Sequence, residues 1–156
     1  MQKVYLETTI PSYLTSIPSR DIIILGHKEL TKEWWNKYRD KYELFVSQAV
    51  VDEVTQGDKA VAALRYDLIK NISILNFDLA IDNIVNNYMK EFSFSSKVIL
   101  DAYHIAYATF YEIDFLLTWN CKHLANANIR KKLYQINAKL GYSTPEICTP
   151  EELINY

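Results

Sequence analysis

The sequence predicts an α/β protein built on one mostly parallel sheet of about five strands, with helices on both faces. Short apolar runs rich in β-branched and aromatic residues alternate with longer helical patterns, which is typical of strand–helix–strand units. The length of 156 residues suits one domain covering residues 1–156, and only 3 Gly and 4 Pro leave little room for a linker. In open sheets of this kind ligands bind beyond the carboxyl ends of the strands, so functional residues are expected there.

The first part of the chain begins with an apolar strand predicted at residues 3–8. Pro11 opens a short helix, since a missing N–H costs nothing in a first helical turn. Asp21 is placed to cap a long helix. Residues 42–47 form the second predicted strand, and Ser47 at its end is placed to cap the helix QAVVDEV.

The middle of the chain continues the same alternation. A helix is predicted from about Asp58, a third strand at residues 71–77, and another helix from Asp78. Ser95 or Ser96 then caps the segment SKVILDAYHIAYATFYE, which carries apolar residues on nearly every face. A helix of that composition belongs in the interior of a protein.

The last part of the chain supplies the two remaining strands. A fourth strand is predicted at residues 114–119, followed by a long polar helix from Asn120 to about Leu140. Residues 146–149 form a short fifth strand, and Pro150 opens a final helical turn.

The composition argues against several classes of protein. No apolar stretch follows a basic start, so no signal peptide is expected, and no run approaches the roughly 18 apolar residues of a membrane helix. Cys121 and Cys148 are too few for a disulfide framework. A formal charge of −2 argues against coating nucleic acid by net charge, but permits an enzyme with one locally basic face. We expect a soluble, cytoplasmic protein without a membrane segment.

Acidic residues stand at the end of the first predicted strand and after the second. Glu7 closes the apolar run VYL at the carboxyl end of the first and presumed central strand, although a strand-end acid can simply reach solvent. Asp52 and Glu53 follow the second strand. They lie about 100° apart around a helix, and spacing alone does not say which of them points inward.

Asp101 is the strongest single signal, because it interrupts an apolar helix. An unpaired ionised carboxylate in a core is costly, so it should shift its pKa, find a partner or bind a cation. His104 lies one turn on and is placed to be that partner, and is expected to be a core histidine rather than a metal ligand. Asn120 follows the fourth strand, where it can cap the next helix and hold a water or substrate oxygen.

Together, Glu7, Asp101 and one of Asp52 and Glu53 predict a site for a hard divalent cation. Mg²⁺ and Mn²⁺ prefer carboxylate and water oxygens. Such an ion activates water and neutralises the charge that develops on a cleaved phosphodiester.

At these residues the chain resembles the PIN domain, in particular the VapC-like ribonuclease toxins of bacterial and archaeal toxin–antitoxin pairs. The likeness covers nearly the whole chain and rests on the blocks VYLETTIPSYL, SQAVVDEV, LDAYHIAYA, LLTWNCKHLAN and ICTPEEL. It implies a PIN-like three-layer α/β/α fold. It also implies a metal-dependent endoribonuclease that hydrolyses RNA phosphodiester bonds, as the toxin of a type II pair.

The resemblance assigns roles to individual positions. Glu7, Glu53 and Asp101 fall at three acids of the family's four-acid site, so the resemblance favours Glu53 over Asp52. Asn120 falls where a fourth Asp is usual, and Thr118 matches a Thr or Ser that often arranges that corner. Two departures matter: Glu7 is one methylene longer than the usual Asp, and Asn120 removes a negative charge, which puts a two-metal arrangement in doubt.

From these assignments we expect Glu7, Glu53 and Asp101 to ligate Mg²⁺ or Mn²⁺, with Glu53 completing the shell or orienting the attacking water. Asn120 and Thr118 are expected to position water or a phosphate oxygen. Candidate contacts to the RNA backbone, each of which is more often a solvated residue, are Lys97, Arg20, Lys122 and His123.

Two rival hypotheses use the same residues differently. A degenerate PIN-like module would bind RNA or a protein partner without cleavage, and Asn120 favours it. A zinc hydrolase would use Cys121, His123 and His104, but C-x-H lacks an ordinary structural-zinc pattern. Cys121 as a nucleophile has no identified base beside it.

Partners follow from the resemblance alone, which implies an antitoxin protein and a homodimer. The apolar residues 22–25 and the pair Trp34 and Trp35 suit an interface, and core packing explains them equally well. Asp114 is not expected to replace the missing fourth acid, because it lies at the opposite end of the fourth strand.

Overall fold

The computed structural model describes residues 1–92 and 98–154. The strands are β1 (Gln2–Leu6), β2 (Tyr42–Ser47), β3 (Ser73–Leu75), β4 (Phe115–Leu117) and β5 (Glu146–Cys148). The α-helices of the described residues are α1 (Thr9–Thr15), α2 (Ile22–Lys37), α3 (Gln48–Val54), α4 (Lys59–Ile69), α5 (Leu79–Glu91), α6 (Ile99–Phe110) and α7 (Ala127–Leu140). Short 3₁₀ turns cover Arg39–Lys41 and Pro150–Leu153.

The five strands form one parallel sheet in the order β3-β2-β1-β4-β5. Right-handed connections between parallel strands place α1 to α4 on one face and α5 to α7 on the other. The contacts between helices agree with this division into two faces, since α1 contacts α2 and α4 while α5 contacts α6 and α7. The predicted α/β fold, with a five-stranded sheet flanked by helices and β1 at its centre, is confirmed.

The order of the strands creates a crevice beside β1. From β1 the chain moves outward through β2 and β3, and it then returns to the other side of β1 as β4 and β5. At such a switch point the connections leave β1 and β4 on opposite faces of the sheet, and open sheets of this kind have a crevice between the two carboxyl ends. Glu7 directly follows β1, and Thr118 directly follows β4.

Three acidic caps begin helices where the sequence predicts them. Asp21 accepts hydrogen bonds from the amides of Ile23 and Ile24, and Asp58 and Asp78 make equivalent bonds at the starts of α4 and α5. Each bond satisfies an amide that has no partner within the helix.

Other predicted caps and boundaries differ from the structure. Ser47 stands at the N-cap of α3 but makes no capping bond, because its hydroxyl is bonded to Tyr5 instead. The helix predicted from Asn120 is wrong at its start. Turns follow Asn120, and α7 begins only at Ala127, capped by the side chain of Asn126. The alternative caps Ser95 and Ser96 lie outside the described residues.

The core lies on both faces of the sheet. Val4, Tyr5 and Leu6 of β1 are fully buried, because helices cover a central parallel strand on both sides. Most residues of α6 from Ala102 to Thr109 are also buried, as its apolar composition predicts. Trp34 and Trp35 belong to this core, which favours the packing explanation for that pair.

The four apolar side chains at the start of α2, residues 22–25, remain exposed. No helix in residues 1–92 and 98–154 is both long enough and apolar enough to cross a membrane.

Candidate active site

Glu7 is a buried carboxylate held at the carboxyl end of β1. Its amide donates to the carbonyl of Leu117 over 3.1 Å, which fixes the backbone beside β4. Its Oε2 accepts from the Thr118 hydroxyl at 2.7 Å, and from the hydroxyl and amide of Thr9 at 2.6 and 3.1 Å. These three hydrogen bonds all reach one oxygen, and they leave Oε1 without a hydrogen bond among the described residues.

Thr9 is a site residue that the sequence analysis missed. Its hydroxyl donates to Glu7 and accepts from the amide of Trp119 at 2.9 Å, so it joins the start of α1 to the chain after β4. The only signal in the sequence is its place two residues after a strand-end acid. Threonine is common at helix starts for local reasons, so that signal does not reveal its partners.

Asp101 and Asn120 contact each other across the crevice. Asp101 lies in the first turn of α6 and is half-buried, and its Oδ1 accepts from Asn120 Nδ2 at 3.2 Å. The Asn120 side-chain oxygen accepts from the amide of His123 at 3.1 Å, so this asparagine caps a turn rather than a helix. Because its amide nitrogen donates to Asp101, Asn120 orients that carboxylate.

The pKa of Asp101 is raised above its ordinary value. Burial is the main cause, and the negative charges of Glu7 and Glu53 raise it further, while His104 and His123 lower it. Glu7, Glu53 and Asp101 therefore interact electrostatically across the same crevice.

Glu53 is held from the interior of the protein by His104. His104 Nε2 lies 2.9 Å from Glu53 Oε1, and His104 Nδ1 lies 2.8 Å from the hydroxyl of Tyr5. Asp52 instead accepts from Gln48 at the exposed surface of α3. In the structure it is therefore Glu53, and not Asp52, that contacts His104 and acts on the pKa of Asp101.

His104 is bonded to Glu53 and not to Asp101. Burial acts to lower the pKa of this histidine, but the hydrogen bond to Glu53 and the negative charges of Glu7, Glu53 and Asp101 outweigh it, so the pKa is raised. The expectation that His104 is a buried histidine is met, since it is 1% exposed. Its influence on Asp101 is electrostatic only.

The donor chemistry of the crevice fits a hard cation. Each of the three acids has one oxygen engaged and one, namely Glu7 Oε1, Glu53 Oε2 and Asp101 Oδ2, that receives no hydrogen bond among the described residues. Neither Glu7 nor Asp101 forms an ion pair with a Lys or Arg of residues 1–92 and 98–154. Within the same residues, however, no three His, Cys, Asp or Glu side chains form a ready-made metal-binding group.

Of the predicted RNA contacts, His123 lies near enough to Asp101 to lower the pKa of that carboxyl. Arg20 and Lys122 are exposed, and no hydrogen bond or ion pair links either to the crevice in the described part of the chain. Lys97 lies outside the described residues.

Two further expectations concern residues beside the site. The structure does not favour the zinc alternative, because both ring nitrogens of His104 are already hydrogen-bonded to Tyr5 and Glu53. Asp114 accepts from the amide of Lys3 at the start of β1, which confirms that it lies at the opposite end of β4.

Comparison with known proteins supports the fold and little else. No protein-family model matches the chain, and no curated protein matches its sequence. In structure, the chain is similar to a chain in the crystal structure of VapBC2 from Rickettsia felis bound to a DNA fragment from their promoter. The TM-score is 0.61 at 12% sequence identity, with 95% of this chain and 98% of that chain covered. The protein therefore has a mixed α/β fold, with a five-stranded parallel sheet flanked by helices, that is consistent with a PIN-like architecture.

Proposed function

We propose that the protein is an endoribonuclease that hydrolyses RNA phosphodiester bonds with Mg²⁺ or Mn²⁺ held by Glu7, Glu53 and Asp101. The observation that carries the proposal is that Glu7 and Glu53 lie close enough to Asp101 to raise the pKa of its carboxyl, while each of the three acids keeps one oxygen without a hydrogen bond among the described residues. Like charges that face one another without Lys or Arg partners are costly, and a divalent cation would offset that cost.

A bound cation supplies Lewis-acid chemistry, since it lowers the pKa of a coordinated water and offsets negative charge on the phosphate. The protein's own residues hold the carboxylates of the site in place. Thr9 and Thr118 fix Glu7 through Oε2, and Asn120 fixes Asp101 through Oδ1. Glu53 and His104 are bonded to each other, and Glu53 is the more exposed of the two. Its Oε2 is available to orient the attacking water.

We propose further that this nuclease is the cytoplasmic toxin of a type II toxin–antitoxin pair, that an antitoxin protein binds it, and that it forms a homodimer. The structural neighbour supports the antitoxin part, because VapBC2 is a complex bound to promoter DNA. The homodimer rests on the resemblance of the sequence to VapC-like proteins.

Cleavage of RNA in the presence of Mn²⁺ tests the proposed activity. We expect the parent protein to cut a labelled RNA and Asp101→Asn to lose at least about tenfold in rate. Asp52→Asn is the matched control, because it removes the neighbouring exposed acid of α3, which is bonded to Gln48 and is not among the charges that raise the pKa of Asp101. Equal rates for the parent and Asp101→Asn would refute the assignment.

A second candidate function follows from Asn120. Because its amide occupies the place of a fourth acid and already bonds Asp101, the protein would instead be a degenerate module that binds RNA or a protein without cutting. Calorimetric titration with Mn²⁺ separates the two candidates. A nuclease binds the ion and loses that binding in Asp101→Asn, whereas RNA binding without any Mn²⁺ binding favours the module.

A further inference from the structure

A continuous chain of hydrogen bonds runs from the sheet to Glu53. The Ser47 hydroxyl lies 2.7 Å from the Tyr5 hydroxyl, which lies 2.8 Å from His104 Nδ1. His104 Nε2 lies 2.9 Å from Glu53 Oε1. The chain connects the ends of β1 and β2 with α6 and α3, and it reaches the candidate active site from its buried side.

The chemistry of these groups gives the chain a direction. An ionised carboxylate only accepts hydrogen bonds, so His104 must donate from Nε2 to Glu53. In the neutral ring Nδ1 is then an acceptor, and the Tyr5 hydroxyl donates to it. While the ring is neutral, the Tyr5 oxygen is left to accept from Ser47, so every donor in the chain then points towards Glu53.

The hydroxyl of Tyr5 is the part of that side chain that packing does not explain. Tyr5 pairs with Phe45 of β2 and Leu116 of β4 at the centre of the sheet, and it is fully buried. A phenylalanine would provide nearly the same apolar volume. A buried hydroxyl without a partner destabilises the folded protein, so this one is favourable only because of the bonds it makes.

We propose that Tyr5, supported by Ser47, is a positioning residue that holds the His104 ring so that its Nε2 fixes the Glu53 carboxylate in the site. The kinetic consequence rests on the proposed nuclease function, whereas the positioning itself does not. A ring held at one nitrogen keeps its orientation and tautomer, and residues that orient a site carboxylate in this way affect activity about 10- to 100-fold.

The test compares two tyrosines that differ in location and little else. Tyr5→Phe removes the hydroxyl that contacts His104. Tyr88→Phe removes another buried hydroxyl, bonded to Thr109 and Asn137 between α5, α6 and α7, away from the acids. Both variants should lose a similar amount of stability. We expect Tyr5→Phe alone to lower kcat about tenfold, with KM nearly unchanged.

A double variant tests whether Tyr5 acts through His104. If it does, Tyr5→Phe should have little further effect on kcat when His104 is already Gln, and the two effects should be strongly non-additive. Additive losses, or a Tyr5→Phe variant as active as Tyr88→Phe, would overturn the proposal.

A measurement on the cation-free protein separates this inference from the proposed function. We expect the ¹⁵N signals of the His104 ring and the side-chain ¹³C signal of Glu53 to shift in Tyr5→Phe and to stay unchanged in Tyr88→Phe. If the parent cuts no RNA, the nuclease proposal fails, and these signals still decide the positioning role. Unchanged His104 and Glu53 signals in Tyr5→Phe would contradict the positioning role of Tyr5.

Discussion

Thr118 Oγ1 donates to Glu7 Oε2 over 2.7 Å, between two residues that are 111 positions apart in the chain and both buried. This bond ties the end of β4 to the end of β1 directly beneath the candidate site. It is one of the three hydrogen bonds that Glu7 Oε2 accepts, and the other two come from the hydroxyl and amide of Thr9.

Removing that donor should weaken both stability and activity. Thr118→Val keeps the shape of the side chain but leaves one fewer donor for a buried carboxylate, which should cost about 1–3 kcal/mol in the free energy of unfolding. Urea denaturation measures the cost. Thr118→Ser should restore both properties, because it keeps the hydroxyl.

The matched control for this change is Thr109→Val, which removes a buried hydroxyl that contacts Tyr88 and Asn137. It should lose stability and keep RNA cleavage per folded molecule. If Thr118→Val retained the cleavage rate of Thr109→Val, the proposed support of Glu7 by Thr118 would be wrong.

Neutralising Asp101 should stabilise the cation-free protein. The pKa of Asp101 is raised by burial and by the charges of Glu7 and Glu53, so the folded protein holds this proton more tightly than the unfolded chain does. Its contribution to stability therefore falls as the pH rises from about 3.8 through the folded pKa, and above that pKa the ionised group destabilises the fold.

Asp101→Asn should accordingly raise Tm at neutral pH by on the order of 2–4 °C and reduce the decline of stability across that pH window. Thermal denaturation in a chelating buffer measures both effects, with Asp52→Asn as the control that should change Tm little. A lower Tm for Asp101→Asn at neutral pH would show that its charge is compensated in the folded state.

Restoring a fourth acid should make stability depend on the cation. Asn120→Asp replaces the amide that donates to Asp101 at 3.2 Å with a second carboxylate, so the two groups should repel each other. We expect a lower Tm than the parent in chelator and a larger rise in Tm when Mn²⁺ is added.

Asn126→Asp is the control for this change, because it alters an asparagine that caps α7, a position where aspartate serves equally well. Its response to Mn²⁺ should match that of the parent. An Asn120→Asp variant with the parent's Tm in both buffers would show that this position does not face the acids as the structure indicates.

His104 should make stability decline as the pH rises past neutrality. Its pKa is raised, so its contribution is fully present below about 6.5 and is lost as the pH rises through the folded pKa. His104→Gln should remove this decline from the free energy of unfolding, measured by urea titration at several pH values. If the free energy of unfolding of the variant declined with pH as steeply as that of the parent, His104 would be excluded as the cause of the decline.

The sequence indicated most residues of the candidate site but not their contacts, and this difference has a physical cause. Strand ends, an acid within an apolar helix, and the resemblance singled out Glu7, Glu53, Asp101, Asn120 and Thr118, and their proposed roles stay predictions. The hydrogen-bond partners of these side chains could not be predicted from the sequence. The sequence placed His104 beside Asp101, one helical turn away, but the ring is bonded to residues of β1 and α3.

Tyr5, Thr9 and Ser47 carried no signal for their contacts. A tyrosine within an apolar strand indicates core packing, and a serine before a helix indicates a cap. Ser47 makes no capping bond because the hydroxyl of Tyr5, across the pair of strands, is its partner. Which of two available partners a hydroxyl takes depends on neighbours that only folding supplies.

The sequence by itself determined the elements whose causes are local. Strand periodicity and length set β2 at residues 42–47, and the side chains of Asp21, Asp58 and Asp78 start their helices by capping amides two or three residues away. The alternation of these elements was sufficient to predict the parallel sheet.

Only the tertiary structure decided which side chains meet. The sheet order brings the ends of β1 and β4 together, so Glu7 acquires Thr118 as a donor, and Asn120 turns towards Asp101 instead of starting α7. These contacts join residues far apart in the chain, and their geometry depends on how strands and helices pack. No local pattern encodes a distance between two carboxylates that belong to different elements.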